Sequence, residues 1–164
     1  SDAGSFSVTP TADTTTEGAE TFQAQIRTGS TSGTIVDTSS NVTINDTSQT
    51  PAFNPDYTIT VTNSGNNYLF TGSDRSGSYS NTSQPALSFN SGDKVRFSVS
   101  ASSHPFFLIV NSTGGTGSGN QVSGATGQGA TTGDVDWTTA TDGAGTYYYI
   151  CSIHSSMKNS ITIS

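Results

Sequence analysis

Apolar and polar residues alternate along this chain with a period of two, the pattern of a strand that buries one face and shows the other to solvent. In Lys94–Ser100, for example, Val95, Phe97 and Val99 fall on one side and Lys94, Arg96 and Ser98 on the other. The same reading predicts strands at Tyr57–Thr62, Tyr68–Thr71, Ala86–Phe89, Phe106–Val110, Val135–Thr138, Thr146–Cys151 and Ser160–Ile163. Asn, Gly and Asp separate them at a spacing of about ten residues, as in a sandwich or barrel, and Ser91-Gly92-Asp93 is a turn signal ahead of Lys94. Upstream the pattern is weaker, with candidates at Phe6–Val8, Thr21–Arg27, Thr34–Val36 and Val42–Ile44. A stretch of about 50 residues is short for a core of its own, so it packs on a neighbour or belongs to a larger array. The pattern thus divides the chain into a short β-rich module, residues 1–51, and a longer β domain, residues 52–164.

Composition sharpens this picture. With 28 Ser, 28 Thr and 18 Gly but 3 Leu and 1 Met, no window offers the straight-chain residues that successive helical turns need. An all-helical bundle is excluded, and the chain reads as all-β with long surface loops. The longest loop, between Asn111 and Gly133, holds eight glycines and few apolar anchors, which marks it as mobile or as a binding surface. The net charge is −7, and the basic residues Arg27, Arg75, Lys94, Arg96 and Lys158 are dispersed. Nucleic acid is therefore not an expected partner, since counterion release needs a basic patch. No apolar run approaches the roughly 18 to 20 residues of a membrane span, so no membrane insertion is expected. The start, Ser1-Asp2-Ala3-Gly4, has neither an initiator Met nor a signal-peptide core and reads as a processed or excised piece.

The candidate chemistry sits near the C-terminus. Cys151, the one cysteine, ends a predicted strand, and His154 and Met157 follow on the next loop. A lone cysteine at a strand end is ordinarily a buried small hydrophobe, but here a thiol, an imidazole and a thioether fall within seven residues. The other histidine, His104, precedes the strand from Phe106. If that strand lies beside the one ending at Cys151, His104 reaches the loop, because paired strands run about 4.8 Å apart. Two imidazoles and a thiolate with a weak axial thioether are the ligand set of electron-transfer copper sites. The expected metal ligands are therefore His104, Cys151, His154 and Met157, around one copper ion cycling between Cu(I) and Cu(II). Zinc also accepts two histidines and a cysteine, but prefers a harder fourth ligand than thioether, and Met157 could instead merely plug the loop. Tyr147, Tyr148 and Tyr149 alternate across a strand and are expected to pack rather than relay electrons. Trp137 is expected in the core. Asp134 and Asp136 read as a solvated strand face, with no nucleophile or base beside them to make an acid catalyst.

At these residues the chain resembles the cupredoxin, or blue copper, family over roughly Pro55 to Ser164. The resemblance rests on the Gly-Asp-Lys-Val-Arg-Phe segment at 92–97, on His104, and on the Gly-Thr-Tyr-Tyr-Tyr-Ile-Cys-Ser-Ile-His-Ser-Ser-Met block ending at Met157. The Cys-x2-His-x2-Met spacing is similar to that of the amicyanin branch, while plastocyanins carry two more residues before Met. The resemblance implies an antiparallel Greek-key β-sandwich, a type 1 copper site and single-electron transfer rather than enzymatic turnover. A redox protein partner would dock near His154, through the apolar Ile153. Small cupredoxins place Asn directly after the first histidine, where this chain has Pro105, which has no N–H to donate toward the sulfur. His104-Pro105-Phe106 resembles the type 1 motif of multicopper oxidases, but Phe107 and Ile109 stand where the histidines of their trinuclear cluster would fall, so an oxidase reaction at such a cluster is excluded. Thr16-Glu17-Gly18 and Val42–Asp46 resemble Calx-beta and immunoglobulin-like repeats, and the Ser/Thr/Gly-rich loops resemble structural proteins of marine bacteriophages. The alternative that this implies is a structural or adhesive module of a virion or surface assembly, in which copper is stabilising or vestigial. The resemblances imply a periplasmic, extracellular or virion-associated setting.

Overall fold

The computed structural model describes residues 20–44 and 52–164. The chain divides into two units, Ser1–Ala52 and Phe53–Ser164. The expected strand at Phe6–Val8, the Thr16-Glu17-Gly18 motif, and Asn45 and Asp46 of the second repeat-like motif lie outside the described residues.

Among its described residues the first unit has four short strands: β1 (Glu20–Phe22), β2 (Gln25–Arg27), β3 (Ile35–Thr38) and β4 (Val42–Ile44). The single strand expected over Thr21–Arg27 is two, because the chain changes partner in its middle: β1 pairs with β4 and β2 with β3. At the switch Ala24 is tied to Ser39, whose N–H donates to the Ala24 carbonyl at 2.8 Å. Ile26, Val36 and Val42 are exposed, so these ladders are held mainly by backbone hydrogen bonds.

The second unit is a two-sheet sandwich. Its strands are β5 (Tyr57–Ser64), β6 (Asn67–Ser73), β7 (Ser78–Ser83), β8 (Leu87–Phe89), β9 (Lys94–Ser100), β10 (Phe106–Ile109), β11 (Ala125–Thr126), β12 (Thr132–Thr138), β13 (Gly145–Cys151) and β14 (Lys158–Ile163). One sheet has the order β11-β12-β9-β5-β6-β7, the other β10-β13-β14-β8. After the β5-β6-β7 meander the chain crosses between sheets at every step except β11 to β12 and β13 to β14, which pair as neighbours within one sheet. The all-β sandwich expected from the sequence is the architecture observed. Two pairings, β5 with β9 and β8 with β14, are parallel within otherwise antiparallel ladders. Both join strands distant in sequence, which the crossovers bring side by side in the same direction.

The alternation that predicted the strands also builds the core. Ile59 and Val61, Tyr68 and Phe70, Val95, Phe97 and Val99, and Val135 and Trp137 point inward from one sheet, against Leu87, Phe89, Phe106, Leu108, Tyr147, Tyr149, Ile161 and Ile163 from the other. Trp137 is fully buried, as expected, and its indole N–H donates to Asp142 at 2.8 Å. Tyr147 and Tyr149 are buried while Tyr148 is only partly so, which agrees with packing. Asp134 and Asp136 form ion pairs with Arg96 at 3.3 and 2.7 Å on the sheet surface.

The polar edge strand β7 escaped the sequence reading, since its burial never alternates. The Ser91-Gly92-Asp93 turn forms as expected, with Gly92 at φ 102°, a conformation that favours glycine. The Asn111–Gly133 loop is anchored to the sandwich rather than free of it. Val122 is buried and donates its N–H to Leu108 O, and the Gln128 side chain both accepts from Leu108 N and donates to Leu108 O. Among the described residues no helix is long and apolar enough to cross a membrane.

Candidate metal centre

The site is assembled by the register of two strands. β10 and β13 pair antiparallel with Phe106 opposite Cys151, so the residues just before Phe106 lie beside those just after Cys151. The Ser152 N–H donates to Pro105 O at 3.3 Å, extending this approach beyond the ladder. His104 enters from a tight turn after β9, in which its N–H donates to Ala101 O at 2.9 Å. Ser103 completes that turn at φ 66°, a left-handed conformation that a side chain adopts at some cost.

The loop from Cys151 to Met157 is closed by its own backbone. Cys151 N–H donates to Met157 O at 3.0 Å, and Met157 N–H donates to His154 O at 2.9 Å. These bonds join the end of β13 to the start of β14 and leave the intervening residues to bend over the sandwich end. Cys151 and Met157 are buried, His154 is half-buried, and Ile153 is 61% exposed.

Three of the four expected ligand residues converge. His104 Nδ1 lies 3.1 Å from His154 Nδ1, and Cys151 Sγ lies 3.9 Å from the first and 3.8 Å from the second. A circle through three atoms so spaced has a radius of about 2.1 Å, within the range of about 2.0 to 2.3 Å that imidazole nitrogen and thiolate sulfur keep from a bound transition metal. The donor triangle therefore fits one ion. Met157 is brought onto the same loop with its side chain fully buried.

Sequence reasoning missed Tyr68. This residue of β6 comes from the opposite sheet, is fully buried, and its hydroxyl donates to the His104 carbonyl at 2.9 Å and the Pro105 carbonyl at 3.1 Å. Burial, and next the charge of the neighbouring Cys151, push its pKa well above the ordinary phenol range. The only signal in the sequence was general: a buried tyrosine must find a partner for its hydroxyl. Behind the site the rings of Tyr68, Phe70, Phe97 and Tyr149 surround Phe106 at centroid distances of 5.2 to 6.4 Å, a packed wall under the donor triangle.

No protein-family model matches the chain, and no curated protein matches it. Among solved structures the chain is similar to rusticyanin, described as a copper protein, with 18% identity and a TM-score of 0.45 over 65% of this chain and 76% of that one. A methionine-to-glutamine mutant of rusticyanin solved at 1.5 Å aligns with the same identity and coverage and a TM-score of 0.44.

Proposed function

We propose that the second unit would bind one copper ion through His104, Cys151 and His154, with the Met157 thioether as a weak fourth ligand, and that it passes single electrons. The observation that carries this reading is the donor triangle: two imidazole nitrogens and a sulfur about 2.1 Å from a common centre, with Cys151 ending β13 and the histidines on the turn and loop that the β10–β13 register brings together. Two imidazoles and a thiolate suit zinc as well as copper, and the soft thioether in fourth place is what favours copper. Copper held there would supply a one-electron couple between Cu(I) and Cu(II).

The protein's part is to keep its donors still. Cys151 is fixed by the β13 ladder and by the Met157 carbonyl, His154 by its carbonyl bond to Met157, and His104 by its turn and by Tyr68. Donors that move little between two oxidation states keep the reorganisation energy low. Burial of Cys151 and His104 excludes water, while the half-buried His154 and exposed Ile153 give the site its outlet to a redox partner.

The test is to load the full chain with Cu(II) and record its voltammetry. The expected result is one copper per chain and a reversible one-electron wave, both lost in Cys151→Ser. Failure to bind copper, or binding that leaves Cys151 open to thiol reagents, would overturn the reading. Copper that raises the melting temperature without a reversible wave would favour the structural module instead.

A further inference from the structure

We infer that Tyr68 is the positioning residue of this centre: its hydroxyl clamps the His104–Pro105 segment from the opposite sheet and so sets where His104 Nδ1 stands relative to Cys151. The inference rests on the metal-site reading for its purpose, but its geometry stands without a metal.

The turn that delivers His104 is not self-sufficient. Ser103 is held in the left-handed region, and Pro105 has no N–H with which to anchor the chain. What restrains the segment from the core side is the single Tyr68 proton shared between the His104 and Pro105 carbonyls. The Pro105 carbonyl also accepts from Ser152 N–H, so one chain of bonds runs from β6 through Pro105 into the loop that carries His154. The tyrosine ring meets the His104 ring edge-on at 6.4 Å, which restrains the imidazole's tilt as well. Tyr68 thus touches the mounting of two donors while occupying no ligand position.

The full chain carrying Tyr68→Phe tests this, because it removes one oxygen and keeps the ring. Tyr147→Phe, toward the other end of β13, is the matched control: it also deletes a hydroxyl shared between two carbonyls, those of Asp142 at 2.6 Å and Gly143 at 3.1 Å. Tyr68→Phe is expected to weaken Cu(II) binding by about 10- to 100-fold and to shift the visible band and the reduction potential. In the metal-free protein it should speed alkylation of Cys151 about tenfold by loosening the cover over the thiol. Tyr147→Phe should lower the melting temperature comparably while leaving affinity, spectrum and alkylation unchanged. In the wild-type protein the Tyr68 hydroxyl proton should exchange slowly by NMR, a check that needs no variant. Wild-type values throughout for Tyr68→Phe, equal effects from both variants, or a rapidly exchanging hydroxyl would overturn the inference. If the wild-type chain binds no copper yet Tyr68→Phe still speeds alkylation, the metal reading falls and the clamp stands.

Discussion

A buried sulfur with imidazole nitrogens at 3.8 and 3.9 Å is chemically unlike a cysteine that merely fills space in a core. Cys151→Ser should therefore separate the two roles. Serine has nearly the same shape, so the metal-free variant should fold, with circular dichroism matching the wild type, while the intense visible absorption of the copper form disappears. Retention of that absorption would show that sulfur is not a ligand. Ile153 carries a different role at the same loop. It is 61% exposed beside His154 and forms an apolar tip on the loop, the contact point that the electron-transfer proposal requires. Ile153→Asp should slow electron self-exchange between oxidised and reduced protein, followed by NMR, by about tenfold as a charge enters the contact. An unchanged rate would move the contact elsewhere.

Asp74 shows how an element is held. Its side chain, at the end of the β6–β7 connection, accepts from Ser76 N and Oγ, Gly77 N, Tyr79 Oη and Ser88 N, so one carboxylate joins that connection to β8 in the other sheet. Burial pushes its pKa up, but the bonds from Ser76, Ser88 and Tyr79 outweigh burial and hold it below the ordinary aspartate value. A depressed folded pKa contributes stability that is present above the unfolded value of about 3.9 and is lost as pH falls through the folded value. Asp74→Asn should cost about 1 to 3 kcal/mol at neutral pH, because an amide turns a donor toward donors. It should also flatten the fall in stability below about pH 4. Urea unfolding at pH 7 and pH 3 measures both, and an unchanged acid slope would assign that fall to other groups. Elements of this kind mark the limit of what the sequence discloses. Strands with one buried face, such as Lys94–Ser100, were legible because the core imposes a period of two. β7 was not, because in this edge strand Tyr79 alone turns toward the core, and one residue among Ser, Asn and Thr makes no period. The Cys151–Met157 loop was legible because its donors are close in sequence, and His104 because one pairing joined it. Tyr68 reaches the site across the sandwich from 36 residues away, a contact no local pattern encodes.

Over the second unit as a whole, the core and the site are continuous. Phe106 sits opposite Cys151 in the ladder and among four aromatic rings. Phe106→Ala should cost about 3 to 5 kcal/mol in thermal or urea unfolding, and a loss under 1 kcal/mol would mean that the wall of rings repacks freely. Because an ion held by both β10-side and β13-side donors binds only the folded chain, free copper at a hundredfold excess over its dissociation constant should raise unfolding stability by about 2.7 kcal/mol. The most direct test of the central claim is the visible and electron paramagnetic resonance spectrum of the full chain with one equivalent of Cu(II). An intense visible sulfur-to-copper charge-transfer band with an unusually small copper hyperfine splitting is the result expected from His104, Cys151 and His154 acting together. A colourless protein with an ordinary square-planar copper signal would contradict it.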